Sequence, residues 1–410
     1  MRIGRTLPPA AAPLRCSDLC HALVGMLSPE DSIRALEDSI RQYFGAKHVF
    51  LVSSGKAALT LTLTALKASS ARTDVVIPAY TCFSIPGSVL SAGLRPVLCD
   101  IDPSTFDFDH ALLERTLTDN TLCVVAHHLF GIPSNIEKIR SLCRDRGIAV
   151  IEDAAQAMGV ESDGRKLGTI GDVGVFSLGR GKNITCGSGG IAITRSDRIA
   201  DEIRKQWPGL ELPPPSEVLS DFAKLIFMKI FIRPRLYWLP AALPFLRLGQ
   251  TIFPKEVFVK RLSGMQAGLL HKWQSRLQQS NQRRSETAAS VSRELSWPLP
   301  SGPSHPYLRL PILAATPQRR DRIHALAQRR GLGVSLAYPT PINEIPEISN
   351  MFDGQRYPSA RRVSERILTI PTHQWISKKD TRAILECVEP STPVLRPAGR
   401  IAATGVTIQQ

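Results

Sequence analysis

The chain has 410 residues, enough to bury one large core and a smaller one. Its 43% hydrophobic and 21% charged residues are those of a folded globular protein and exclude extended disorder over most of the length. Lysine and arginine outnumber aspartate and glutamate by 51 to 36, a formal charge of +15 that favours phosphorylated metabolites or an acidic membrane surface as partners. Nucleic acid is not expected, because the basic residues are scattered, as in 318–330, without aromatic interleaving or a nucleic-acid module.

The N-terminus, MRIGRTLPPAAAPLR, has no apolar h-region, so neither a signal peptide nor an anchor is expected there. From residue 30 helices and strands alternate: 31–44 reads as a helix, 48–54 as a strand and 56–68 as a helix. Strands at 74–79, 95–101 and 122–128 and helices at 83–93 and 135–147 lead to a strand at 148–154. Continuous Val/Ile/Leu runs of this kind belong to buried parallel strands, and ligands of such sheets collect at the strands' carboxyl ends. Ser54, Asp100, His128 and Asp153, just beyond the runs, are therefore the residues to inspect.

Beyond residue 205 the composition changes. Residues 212–217 read as a linker, and 222–253 form a basic, aromatic and apolar stretch too interrupted to cross a membrane. Two readings of it stand: short helices packed on a partner subunit, or an interfacial segment turning its lysines and arginines toward anionic lipid. A long polar helix over 265–295 precedes a smaller α+β unit, with strands at 307–313 and 332–338 around a helix at 317–331, and the tail from 391 is featureless. This divides the chain into an arm (1–29), a large α/β domain (30–210), the basic apolar insert (211–262), a small C-terminal domain (263–390) and the tail (391–410). Eight widely spaced cysteines read as reduced thiols of a cytoplasmic protein, with no metal site.

Residues 150–194 concentrate the chemistry: a strand ending at Asp153, a helix, glycine-rich turns, a strand ending at Ser177, and Lys182 within GRGKNITCGSGG. Bound pyridoxal phosphate requires an amine for the Schiff base, an acid to keep the pyridine nitrogen protonated, and donors around the phosphate. Lys182 can supply the amine, Asp153 the acid, Gln156 a contact to the ring oxygen, and Ser177 with the glycine loop the phosphate donors. Taken singly, each residue also has a plainer explanation: Asp153 as a helix cap, Ser177 as a strand end, Lys182 as a solvated loop lysine.

The strings SSGKAALTL, VVIPAYTCFSIPGSVLSAGLRPVLCDIDPSTFDFD, HLFGIPSNIEKI, IEDAAQAMG, GRKLGTIGDVGVFS, GKNITCGSGG, LAYPTPINEIP and SERILTIPTH, in this order over about residues 30 to 388, closely resemble the DegT/DnrJ/StrS family of sugar aminotransferases. The resemblance implies the aspartate-aminotransferase fold: a type I pyridoxal-phosphate transferase, α/β, with a mainly parallel mixed sheet flanked by helices and a smaller C-terminal α+β domain. It implies pyridoxal 5'-phosphate as cofactor, a homodimer, and transfer of an amino group, usually from glutamate, to a keto-sugar nucleotide in surface polysaccharide or secondary-metabolite synthesis. Lys182 then corresponds to the Schiff-base lysine, Asp153 to the partner of the pyridine nitrogen, Gln156 to the ring-hydroxyl contact, and Ser177 to a phosphate ligand, with Gly55 and Lys56 at the other phosphate-binding turn.

Several positions depart from the family pattern. Ser54-Gly55-Lys56 replaces Ser-Gly-Thr, and Cys82, beside Phe83 and Tyr80, stands where an aromatic normally stacks on the cofactor ring. Gly179-Arg180-Gly181 and Gly187-Ser188-Gly189-Gly190 change the rim of the site, and 211–258 replaces a shorter loop, with Val259 where the family has a cross-subunit asparagine and Arg261 in place. The insert suggests peripheral contact with the inner face of the membrane through 222–253. Two rival readings stay open: a pyridoxal-phosphate enzyme of another reaction type, elimination or carbon–carbon bond formation, and a catalytically silent, membrane-associated relative.

Overall fold

A computed structural model describes residues 2–388 except 13, 247, 250, 296–299 and 303, so the expected tail lies outside the described residues. Two helices, α1 (Cys16–Leu27) and α2 (Pro29–Phe44), lead into β1 (His48–Val52) and α3 (Gly55–Ala68). The alternation continues through β2 (Asp74–Pro78), α4 (Ser84–Ser91), β3 (Arg95–Cys99), α5 (His110–Thr116), β4 (Thr121–His127), α6 (Ile136–Arg144) and β5 (Ala149–Asp153). A small hairpin, β6 (Glu161–Ser162) and β7 (Arg165–Lys166), precedes β8 (Val173–Ser177), β9 (Gly190–Thr194) and α7 (Asp197–Gln206).

Seven strands form one sheet in the order β1-β9-β8-β5-β4-β2-β3. Every neighbour pair from β8 to β3 is parallel, while β9 runs antiparallel to both β1 and β8. The sheet is thus mainly parallel, and its strands read as unbroken apolar runs because helices cover both faces. Local chemistry sets the helix ends: Ser54 Oγ accepts from the Ala57 amide at 3.1 Å, and Asp109, Asn135 and Ser196 cap α5, α6 and α7 in the same way. Gly45, at φ 60°, closes α2 in the left-handed region.

The insert differs from its expected form. The linker is cut short because α8 (Pro215–Phe231) starts with proline at its first position, where no amide partner is required. It is one helix of 17 residues, followed by the single turn α9 (Trp238–Ala241). The expected long polar helix is also broken, into α10 (Gly264–Leu269) and α11 (Trp273–Leu295), with Lys272 at φ 54° between them. Glycines explain the break. A Cβ on Gly268 would lie 2.2 Å from the His21 carbonyl oxygen, and one on Gly25 would lie 2.1 Å from that of Gly264, so α10 is buried against α1 in near backbone contact and cannot stay collinear with α11.

The C-terminal unit holds β10 (Arg309–Leu313), α12 (Pro317–Arg330), α13 (Pro358–Arg366), β11 (Ile367–Pro371) and α14 (Lys378–Val388). β10 pairs antiparallel with β11, whereas 332–338, expected as a strand, contributes only the bridge Ser335 to Thr369. Ala337, in the left-handed region at φ 55°, prevents that segment from continuing as a strand. Asp100, at the end of β3, accepts from the Ser359 and Ala360 amides at 2.9 and 2.8 Å, capping α13 and fastening this unit to the large sheet.

Candidate active site

The carboxyl ends of the parallel strands, and the turn that follows β1, converge at one edge of the sheet. Ser177 ends β8 opposite Gly190, which also pairs with Val52 at the end of β1, so three backbone segments meet beside Ser53-Ser54-Gly55. The approach is close. A Cβ on Gly190 would lie 2.1 Å from the Ser54 carbonyl oxygen, and a Cβ on Gly55 would lie 2.7 Å from the Ser177 Cβ. Gly55 opens α3, whose first amides point outward here with the positive end of the helix dipole, next to the Ser177 hydroxyl. Lys56 is exposed on this turn.

Lys182 lies on the loop that joins β8 to β9. The Leu178 amide bonds the Gly189 carbonyl at 2.8 Å and closes the loop, while Gly181, at φ 76°, turns the chain just before the lysine. Asn183 donates to Asn281 of α11 at 3.0 Å and anchors the far side. Burial lowers the Lys182 pKa, against the opposing pull of Cys82 and Asp153, and Arg309 lowers it further. The amine thus has a larger neutral, nucleophilic fraction than a solvated lysine.

Asp153 ends β5 beside His127 of β4. His127 sits between the Thr81 hydroxyl and the Phe106 carbonyl, each at 2.8 Å, and burial depresses its pKa, which favours the neutral ring. The expected helix after Asp153 is absent: 154–159 is a run of turns, started by Asp153 itself as it accepts from the Ala155 amide at 3.0 Å. Gln156 is nevertheless brought to the site, accepting from the Phe130 amide at 3.2 Å and donating to the Tyr338 hydroxyl at 3.0 Å.

Cys82 and Phe83 follow β2 on the same side. Cys82 accepts from Ser84 Oγ at 3.0 Å, and the Phe83 ring lies near-parallel to that of Tyr338, with centroids 6.3 Å apart. Of the four residues picked out beyond the strands, Ser54 and Asp153 belong here, whereas Asp100 caps α13 and His128 serves the frame. His128 accepts from the Ser134 amide on Nδ1, so its Nε2–H donates to Glu152 at 3.0 Å, and Glu152 in turn collects the amides of 168, 170 and 171.

Two residues given no role from sequence also face the site. Tyr338 sits in LAYPTPINEIP, a motif quoted only as likeness, and burial raises its pKa well above the ordinary tyrosine range. Arg309 opens β10, and among the described residues its buried Nε has no hydrogen-bond partner. Both line a cavity of about 600 Å³ that reaches from Gly181 to the insert. The arrangement suits an aromatic cofactor carrying a phosphate: a partly desolvated amine, a carboxylate, an amide–phenol pair, a glycine-walled helix N-terminus with a hydroxyl, and a guanidinium that bonds Ser335 at 3.4 Å but keeps one N–H without a partner among the described residues.

The fold is that of sugar aminotransferases, the type I pyridoxal-phosphate transferases. Helicobacter pylori PseC, an aminotransferase involved in the biosynthesis of pseudoaminic acid, superposes with a TM-score of 0.75 at 19% identity over 94% of this chain and 98% of its own. The sugar aminotransferase CalS13 of Micromonospora echinospora gives 0.73 at 20% identity over 93% and 99%. The model of the DegT/DnrJ/EryC1/StrS aminotransferase family matches residues 23–213 and 250–389, and the chain belongs to that family. It is therefore an enzyme of the aminotransferase class, and 214–249 fall outside the family pattern. Among curated proteins it is similar to a pleiotropic regulatory protein of Geobacillus stearothermophilus, 26% identical over 87% of this chain and 88% of that one. It is also 36% identical to GDP-perosamine synthase of Caulobacter vibrioides, over 41% of this chain and 45% of that enzyme.

Proposed function

We propose that this chain is a cytoplasmic, homodimeric enzyme that uses pyridoxal 5'-phosphate to move an amino group from glutamate to a keto-sugar nucleotide, in surface-polysaccharide or secondary-metabolite sugar synthesis. The observation that carries the reading is the setting of Lys182: a desolvated amine with a lowered pKa, held by a closed loop within electrostatic reach of Asp153. The likeness to GDP-perosamine synthase supports a sugar-nucleotide acceptor.

When bound, the cofactor supplies an electron sink for the carbon that loses its proton. The residues divide the remaining work. Asp153 would keep a proton on the ring nitrogen, Gln156 and Tyr338 would hold the ring hydroxyl, and Ser177 with the first amides of α3 would bind the phosphate. Lys182 would hold the cofactor through its Nζ, and the same Nζ would move the proton at the substrate carbon. Arg309 presents a cation to an anionic group of the entering substrate.

Absorption spectroscopy with peptide mapping tests this. Protein supplied with pyridoxal phosphate should show a visible band that borohydride bleaches, with the reduced adduct on Lys182, and should aminate a keto-sugar nucleotide at the expense of glutamate. Lys182→Ala should lose the band and at least about a hundredfold in turnover. Turnover retained by that variant, or an adduct on another lysine, would overturn the assignment.

A further inference from the structure

Helix α8 is apolar on two sides. Its inner side packs Val218, Phe222, Leu225 and Met228 on the core. Its outer side bears Leu219, Ile226 and Ile230, which fall on one face at spacings of seven and four, and Leu219 remains 65% exposed, while Phe227 lines the cavity. Past α9, Phe245 is 74% exposed. A helix that is apolar all round is normally buried, so the open side requires a cover.

The charges say what covers it. Residues 215–258 hold six basic side chains, Lys224, Lys229, Arg233, Arg235, Arg247 and Lys255, against Glu217, Asp221 and Glu256, and Asp221 and Glu217 are already paired with Lys224 and Lys260. A two-fold contact between copies through this face would set Lys229, Arg233 and Arg235 against the same three side chains, whereas an anionic lipid surface neutralises them while its acyl boundary takes the apolar side chains. Among the described residues no helix is long and apolar enough to cross a membrane, and α8 spans only 17 residues, so such a helix would lie in the interface plane. Tyr237 and Trp238 follow at the chain's next turn, residue types that favour the boundary between headgroup and hydrocarbon.

The same segment walls the cavity next to the Lys182 loop, with Phe231, Tyr237 and Leu246 on one side and Gly181 and Tyr338 on the other. We propose that residues 215–258 form a docking surface for anionic membranes, which sets the mouth of the active site against the bilayer. Docking does not depend on the sugar specificity of the enzyme and is read without it.

Co-sedimentation of the full-length protein with vesicles tests the proposal. The protein should pellet with phosphatidylglycerol vesicles at low salt, be released at high salt, and stay in solution with phosphatidylcholine vesicles. Arg233→Gln/Arg235→Gln should weaken binding about twenty-five-fold, roughly fivefold for each basic residue removed from an anionic surface, and Leu219→Asp/Ile230→Asp should weaken it at least tenfold. Thermal melts close to that of the unaltered protein show that the variants are folded. Three results would overturn the proposal: no pelleting with phosphatidylglycerol, undiminished binding by the folded variants, or a fall in oligomer mass on Leu219→Asp/Ile230→Asp without lipid binding by the parent, which would make the face a contact between copies.

Discussion

Gly55 shows how little space the phosphate-binding turn has to spare. A methyl there would meet the Ser177 side chain at 2.7 Å and push the hydroxyl away from the helix N-terminus. Gly55→Ala is therefore expected to fold but to bind pyridoxal phosphate at least about tenfold more weakly, the worth of one charge-assisted hydrogen bond. An absorbance titration measures this, and an unchanged affinity would mean that Ser177 is not a phosphate donor. At Lys56 the substitution of a cation for the family's threonine leads outward, because the side chain is exposed. Asp153, Ser177 and Lys182 were legible in the sequence because each sits at a strand end or in a glycine loop within a few residues of its signal. Tyr338 was not, since its contact with Gln156 joins residues 182 positions apart.

Among the elements, α11 ties together parts that are remote in the chain. Its Arg284 is fully buried with no carboxylate partner among the described residues, and burial lowers its pKa to about 9. The guanidinium instead donates to the Leu308 carbonyl at 2.6 Å, the Thr372 hydroxyl at 3.1 Å and the Ala11 carbonyl at 3.1 Å, joining the N-terminal arm to the end of the β10–β11 pair where β10 begins and β11 finishes. Lysine cannot reproduce this planar fork. Arg284→Lys should cost about 2 kcal/mol, the penalty for one buried acceptor left unsatisfied, read as a lower urea midpoint at constant slope; an unchanged midpoint would show that the arm contributes nothing to stability. The arm carries more than its proline-rich sequence suggested. Leu7 is fully buried, Leu7 N donates to the Gly331 carbonyl at 2.8 Å, and Pro9 and Ala10 line the cavity beside Gly181.

Across the whole molecule, buried histidines couple stability to pH. His373 donates from Nε2 to the Pro8 carbonyl at 2.8 Å, and burial depresses its pKa from 6.5 to about 4, with Arg284 adding to the fall and Asp380 opposing it. Between these values the unfolded chain takes up a proton that the folded chain refuses. This contribution is therefore intact above pH 6.5 and is lost progressively toward pH 4, by up to about 3 kcal/mol at about 1.4 kcal/mol per unit. His127 and His305, also depressed by burial, act in the same sense. Urea midpoints at pH 7 and pH 5 should differ, and His373→Gln should narrow the gap; an equal gap in the variant would place the pH dependence elsewhere. By itself the sequence determined the alternation of strands and helices that makes a mainly parallel sheet, and the lysine loop, because apolar runs, caps and glycine turns act between near neighbours. Only the tertiary structure decided where α10 parts from α11, that 332–338 is not a strand, that Arg309, Tyr338 and the arm's Pro9 and Ala10 line one cavity beside Gly181, and which side of α8 is left open. Those outcomes depend on backbone contacts and burial between segments far apart in the chain, to which local periodicity is blind.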